Sequence, residues 1–217
     1  MSDLTQNKNI TFEDFKRDVI NDFKIACRSR EASLLGRREV LTGKAKFGIF
    51  GDGKEVAQLA MAKTFKTGDF RSGYYRDQTF MFAADILTTE QFFAQLYAIP
   101  DINEEPSSGG RQMNAHFATR SLDQSGQWKD LVNMKNSSSD TSPTASQMVR
   151  AVGLALSSKI FRQNAAINQS GFSNNGNEVV FATIGDASTS EGVFWESVNA
   201  AGVLKIPLAF FVWDDGY

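Results

Sequence analysis

Two apolar runs near the end of the chain each stop at acids. Val179-Val180-Phe181-Ala182-Thr183-Ile184 gives way to Gly185-Asp186-Ala187-Ser188, and Leu208 to Trp213 gives way to Asp214-Asp215-Gly216-Tyr217. Near-continuous apolar runs of this length suit strands buried on both faces of a parallel sheet, where ligands sit beyond the carboxyl ends of the strands. Carboxylates converging there, with no cysteine or histidine beside them, suit a hard cation such as Mg²⁺ or Ca²⁺ better than zinc. The turn at Gly185 also opens a helical segment, whose free N–H groups and dipole would hold a phosphate. Cation and helix N–H groups together would make a diphosphate site. A single acid after a strand is more often a cap or a turn residue.

The elements that must position these residues can be read from periodicity. Val193, Phe194, Val198 and Ala201 recur at helical spacing between the two runs, and Pro207 punctuates before the second. Strand, turn, helix and strand make a βαβ unit with a right-handed crossover. Upstream, a helix starts near Thr11, which can cap it with Asp14 three residues on, and Phe12, Phe15, Val19, Ile20, Phe23 and Ala26 form its apolar stripe. A loop at 47–53 precedes a second helix with Val56, Leu59, Ala60 and Ala62 towards one face. The capping box Thr88-x-x-Gln91 opens a third helix, which carries Phe92, Phe93 and Leu96. Residues 101–111 and 121–143 read as loops, and 144–161 as a helix rich in small residues. The segment 163–177 is polar and reads as a surface excursion.

Composition narrows the class. The chain has 217 residues, 41% of them hydrophobic, and its 23 basic against 25 acidic side chains leave a net charge of −2. That balance argues against a nucleic-acid partner. The run from Leu208 to Trp213 is far short of the ~20 residues a membrane helix needs, so no membrane partner is expected. The polar start is no secretory signal, and the lone Cys27 suits a reducing compartment, here the cytoplasm. Residues 1–10 are expected to be a flexible N-terminus, and 11–217 to form part of one α/β domain.

The spacing carries more. Gly185-Asp186-Ala187, the 26 residues Ser188 to Trp213, then Asp214-Asp215 resemble the Gly-Asp-Gly…Asn-Asn signature of thiamine-diphosphate enzymes. Gly51-Asp52-Gly53 copies the first half more literally, but no second half follows at that distance. Other segments are similar to the alpha subunit of the decarboxylating component of 2-oxoacid dehydrogenases, of branched-chain or pyruvate type. They are Gly53-x-Glu55, Tyr75-Arg76-Asp77, Gly110-Arg111-Gln112-Met113-Asn114-Ala115-His116, Ser142-Pro143-Thr144-Ala145-Ser146-Gln147 with Ala151-Val152-Gly153, and Ser190-Glu191-Gly192. The likeness runs in one order over roughly residues 15–217. It implies a transketolase-like thiamine-diphosphate-binding fold, with a parallel sheet flanked by helices. It also implies oxidative decarboxylation of a 2-oxoacid with acyl transfer to a lipoyl-bearing acyltransferase. The expected cofactors are thiamine diphosphate and Mg²⁺, and the expected partner is a beta subunit or beta-like domain, so the working form would be an oligomer. Carried over by position, Asp186, Asp215 and the carbonyl of Tyr217 would hold Mg²⁺. Gly185, Ala187, Ser188 and Arg76 would meet the diphosphate. Tyr75, Ser142 and the backbone at Thr144 would line the cofactor, and His116, the single histidine, would be the catalytic proton carrier.

Three departures bear on this reading. Asp stands at 214 and 215 where the family has Asn, Ala187 replaces the second glycine, and the chain stops where the family continues. The expectation is an N-terminal portion of a longer protein whose sheet is incomplete. Alone it should bind the cofactor weakly and not decarboxylate. Two other readings compete. A Mg²⁺-dependent phosphoryl-transfer domain could use the same acids, and a non-catalytic assembly module could retain the fold for subunit contacts.

Overall fold

The structure, a computed structural model, describes residues 10–168 and 171–216. Most of the expected flexible N-terminus, and Tyr217, lie outside the described residues. The apolar runs form strands where the sequence puts them. They are β3 (Val180–Gly185) and β4 (Leu208–Trp213), and two short strands, β1 (Phe70–Ser72) and β2 (Asn136–Ser137), join them. All pairings are parallel and the order is β2-β1-β3-β4. β3 and β4 run in register from Val180–Leu208 to Gly185–Trp213, so they end level and release their acids side by side. β1 and β2 escape a hydropathy reading because their buried residues are polar: Arg71, Ser72, Asn136 and Ser137. β4 corrects one expectation. It is an edge strand, half-buried along most of its length, and Val212 is 44% exposed.

Alternation along β3 builds two apolar layers, as a pleated strand requires. Val180, Ala182 and Ile184 face one way and pack with Met148, Ala151 and Ala155 of α5 (Ser146–Gln163) and Phe194 of α7 (Gly192–Leu204). Phe181 faces the other way, edge-on to Phe65 at a centroid separation of 5.0 Å and stacked on Phe211 at 5.5 Å. That second layer is roofed by α1 (Phe12–Leu41), α2 (Glu55–Thr64), α3 (Gln78–Ala83) and α4 (Thr89–Leu96). Fully burying one such aromatic contributes about 1.5–3 kcal/mol. A one-turn helix, α6 (Ala165–Asn168), follows α5.

The expected caps form. Thr11 Oγ1 accepts from the Asp14 N–H at 3.1 Å. At α4, Thr88 Oγ1 accepts from Gln91 N while Gln91 Oε1 accepts from Thr88 N. Two helix faces differ from the sequence reading. The α1 stripe of Phe12, Phe15, Val19, Ile20 and Phe23 is exposed, and the helix packs instead through small residues of its second half, Ser29, Ala32, Ser33 and Gly36. On α2, Val56 faces solvent at 81% exposure, whereas Glu55 and Gln58 are buried beside Leu59. Hydrogen-bond partners decide both polar placements: Glu55 takes a fork from Arg30 at 2.7 and 2.9 Å.

Candidate functional site

All four strands finish on one edge of the sheet, and each passes the chain to a loop that bears candidate residues. β1 leads into Tyr74-Tyr75-Arg76-Asp77, β2 into the loop that reaches Ser142 and Thr144, β3 into Asp186, and β4 into Asp214 and Asp215.

At one end of this edge an acid pair meets an arginine. Arg76 forks onto Asp215, with Nη1 donating to Oδ1 at 3.2 Å and Nη2 placed 2.9 Å from Oδ2. Asp186 lies within hydrogen-bonding reach of Asp215, and that contact is the main reason its carboxyl sits below the ordinary 3.8. The Ala187 N–H, turned onto the same carboxylate, and nearby Arg76 act in the same direction. Two carboxylates brought together favour a cation beside them. Asp186 Oδ1 is enclosed and has no hydrogen-bond partner among the described residues. Asp214 stands apart, exposed, with its Oδ1 accepting from the Gly216 N–H at 2.8 Å. Among the described residues no group of three or more histidine, cysteine or acidic side chains is arranged to hold a metal. A cation here would therefore take the Asp186–Asp215 pair and complete its shell with other oxygens, as Mg²⁺ does.

Gly185 makes the crossing possible. A Cβ there would stand 3.2 Å from both Arg76 Nη1 and Tyr74 Oη, so a side chain would crowd the arginine. After Asp186 the chain makes a separate turn of 3₁₀ helix over Ala187–Ser190, and α7 begins only at Gly192. The phosphate-facing turn of the sequence reading is thus this short turn, not the first turn of the long helix.

At the other end lies a cavity of about 210 Å³ whose lining includes Tyr75, His116, Ser142, Thr144, Gln147 and Ser188. His116 is buried. Its Nδ1 lies 3.3 Å from the Asn114 carbonyl and its Nε2 3.2 Å from Ser142 Oγ. A carbonyl can only accept, so Nδ1 carries the proton and Nε2 accepts from the Ser142 hydroxyl. The backbone on either side is strained: Ala115 and Ala145 hold φ values of 57° and 61° in the left-handed region, where an alanine pays for its Cβ. Tyr75 joins the two ends, since the Arg76 guanidinium carbon lies 5.4 Å from the centre of its ring. A larger cleft of about 620 Å³, lined by Ile102, Pro106, Arg120, Leu122 and Lys129, is bordered by none of the candidate residues.

Some residues that shape the site were not singled out from sequence. Gln58 donates to the Arg76 carbonyl at 2.6 Å and accepts from Phe80 N at 2.9 Å, which fixes the turn carrying Arg76. Gly51, in the literal but unmatched Gly-Asp-Gly, abuts that turn: a Cβ there would stand 2.6 Å from the Arg76 carbonyl oxygen. Arg71 and Asp140 lie beneath the site. Only the burial of Gln58 had a local signal, its place one turn after Glu55 on the same helix face.

Fold and site together define an α/β protein with a parallel sheet whose strand ends gather acids, an arginine and a histidine. The sequence matches the family model described as Dehydrogenase E1 component over residues 33–217, and the chain belongs to that family. Its relatives include the 2-oxoisovalerate dehydrogenase subunit alpha of Bacillus subtilis, 29% identical over 177 residues, which are 81% of this chain and 44% of that protein. The mitochondrial 2-oxoisovalerate dehydrogenase subunit alpha of Caenorhabditis elegans is 27% identical over 175 residues, 81% of this chain and 34% of the relative. The mitochondrial subunit alpha 1 of Arabidopsis thaliana is also 27% identical, with 30% of its length covered. The chain thus spans less than half the length of these relatives. No helix among the described residues is long and apolar enough to cross a membrane.

Proposed function

We propose that this chain supplies the half-site for diphosphate and Mg²⁺ of a thiamine-diphosphate-dependent 2-oxoacid dehydrogenase. That enzyme would decarboxylate a 2-oxoacid and pass the acyl group to a lipoyl-bearing acyltransferase, with a beta subunit or beta-like domain completing the site. The observation that carries this reading is Asp186 Oδ1, an enclosed carboxylate oxygen without a partner among the described residues, set against Asp215 and next to Arg76. A buried anionic oxygen left unpaired is costly, and a cation would satisfy it. The residues present therefore fit Mg²⁺ and a diphosphate.

In this reading Asp186, Asp215 and the carbonyl of Tyr217 hold Mg²⁺. Arg76 turns its fork from Asp215 to a phosphate oxygen, a partner of matching geometry. Gly185 leaves room for that fork, and Ala187 and Ser188 offer N–H groups to the diphosphate. Tyr75, Ser142 and Thr144 line the cofactor. Thiamine diphosphate, when bound, supplies the carbanion-stabilising chemistry of decarboxylation. His116 is the proton carrier: its Nδ1–H is fixed by the Asn114 carbonyl, so the basic lone pair is on Nε2, where it accepts from Ser142 until that hydroxyl turns away.

Calorimetric titration of the chain with thiamine diphosphate and Mg²⁺ tests the reading. Binding that needs Mg²⁺ and is lost in Asp186→Ala and Arg76→Gln is expected, with no 2-oxoacid turnover by the chain alone. Phosphatase activity without cofactor binding would favour the phosphoryl-transfer alternative. Against that alternative, Lys205 caps the end of α7 just before β4, at the opposite edge of the sheet from the acids. Capture of a beta-type subunit without cofactor binding would favour the assembly module.

A further inference from the structure

Beneath the site lies a charge cluster that no step above uses. Arg71 on β1 is fully buried, and its five N–H groups all have acceptors. Nε donates to Asp77 Oδ2 at 2.6 Å. Nη1 donates to Ser137 Oγ at 2.8 Å and to Asp140 Oδ1 at 2.9 Å. Nη2 donates to the Tyr74 carbonyl and to Asp140 Oδ2, each at 3.0 Å. The guanidinium also lies 5.5 Å from the centre of the Phe117 ring.

The two carboxylates extend this reach. Asp77 Oδ1 accepts from Trp213 Nε1 at 2.7 Å, and Oδ2 accepts from the Tyr74 N–H and the Thr183 hydroxyl. Asp140 Oδ2 accepts from the Phe117 N–H at 3.0 Å. Each contact is a residue or a few from a proposed functional group. Tyr74 and Asp77 flank Tyr75 and Arg76. Thr183 stands three residues before Asp186, and Trp213 two before Asp215. Asp140 stands two before Ser142, and Phe117 follows His116. One guanidinium therefore ties together, at one remove, every loop that carries a candidate residue.

Stability alone is a weak reason for such a cluster. Three buried charges are costly to desolvate, and apolar packing of the same volume often serves a core as well or better. A planar fork with five donors, by contrast, fixes distances between its partners.

We infer that Arg71 is a positioning residue, which sets the spacing between the Arg76, Asp186 and Asp215 end of the site and the His116 and Ser142 end. The inference rests on the proposed cofactor role for the binding measurement, but not for the histidine measurement. His116 is the single histidine, so its imidazole gives one unambiguous nitrogen resonance pair.

The test is Arg71→Lys, which keeps the charge and loses the fork. Circular dichroism checks folding, calorimetry follows thiamine diphosphate with Mg²⁺, and nitrogen NMR follows His116. The folded variant should bind roughly 10- to 100-fold more weakly. Its His116 signals should shift or broaden as the contact with Ser142 loosens. Affinity and His116 signals both unchanged in folded Arg71→Lys would overturn the inference, because the cluster would then only stabilise. If that variant does not fold, Trp213→Phe decides. It removes one tie to Asp77 without touching a charge, and several-fold weaker binding with unchanged His116 signals is expected; unchanged binding would overturn the inference. If the natural chain binds no cofactor at all, the proposed function falls. The His116 signals of Arg71→Lys, or of Asp140→Asn should the lysine variant not fold, still decide the inference.

Discussion

The fork between Arg76 and Asp215 sets up a competition that one substitution exposes. In the proposed site Arg76 binds a phosphate only after it leaves Asp215, so the ion pair subtracts from phosphate affinity. The two side chains are 25% and 23% exposed and meet through both carboxylate oxygens. A pair of this kind is worth about 1 kcal/mol, the upper end of the range for solvent-accessible pairs. About 1 kcal/mol is roughly fivefold in a dissociation constant. Asp215→Asn removes the pair and a negative charge beside the anion, so both changes favour phosphate. Calorimetric titration with inorganic pyrophosphate in EDTA should therefore show at least about fivefold tighter binding to Asp215→Asn. With Mg²⁺ present the sign reverses, because a neutral amide oxygen is the poorer ligand for the cation. Arg76→Gln should abolish the gain when combined with Asp215→Asn. Unchanged or weaker metal-free pyrophosphate binding in Asp215→Asn would refute the competition, and with it the assignment of Arg76 to the diphosphate.

Further measurements probe other parts of the molecule. A Cβ at Gly73 would stand 2.5 Å from Arg71 Nε and nearer still to Asp77 Oδ2, so Gly73→Ala should lose about 3 kcal/mol or more in urea unfolding. Tyr97 donates to Glu39 at 2.8 Å, and this bond, more than Lys44, holds the Glu39 carboxyl below its ordinary 4.5. A lowered carboxyl stabilises the fold above its unfolded value and loses that contribution as pH falls through the folded one. The natural chain should therefore lose stability below about pH 4.5 more steeply than Tyr97→Phe, as read by melting temperature against pH. Ser142→Ala should leave buried His116 Nε2 without its donor, at a cost of about 1 kcal/mol, and shift the imidazole nitrogen resonances.

Much of the fold could be read along the chain because local chemistry decided it. The caps at Thr11 and at Thr88 with Gln91 act within one turn, so they formed where expected. The same holds for the positions of β3 and β4, whose apolar runs specify strands, although only β3 is buried throughout and β4 is half-buried at the edge. β1 and β2 could not be found this way. Two or three residues with Arg71 or Asn136 at their centre become strands only when partners far along the chain satisfy them. Asn136 Nδ2, for one, donates to the Asp69 carbonyl at 3.3 Å, 67 positions away. The exposed stripe on α1 shows the converse: periodicity marks an apolar face but not what covers it.

The site divides along the same line. By itself the sequence determined which residue types stand at the strand ends and in what order. Those facts depend on neighbours in the chain and on the two-residue period of a strand. That β3 and β4 pair in level register, so that Asp186 and Asp215 emerge side by side, came from the structure. Tertiary structure alone decided that Arg76 meets Asp215, that His116 meets Ser142 across 26 positions, and that Asp214 turns away into a local bond. It also decided that Arg71, which nothing in the sequence marks, would be the buried centre beneath them. Charge pairing and burial are set by which segments fold against one another, and that information is held by the whole chain at once.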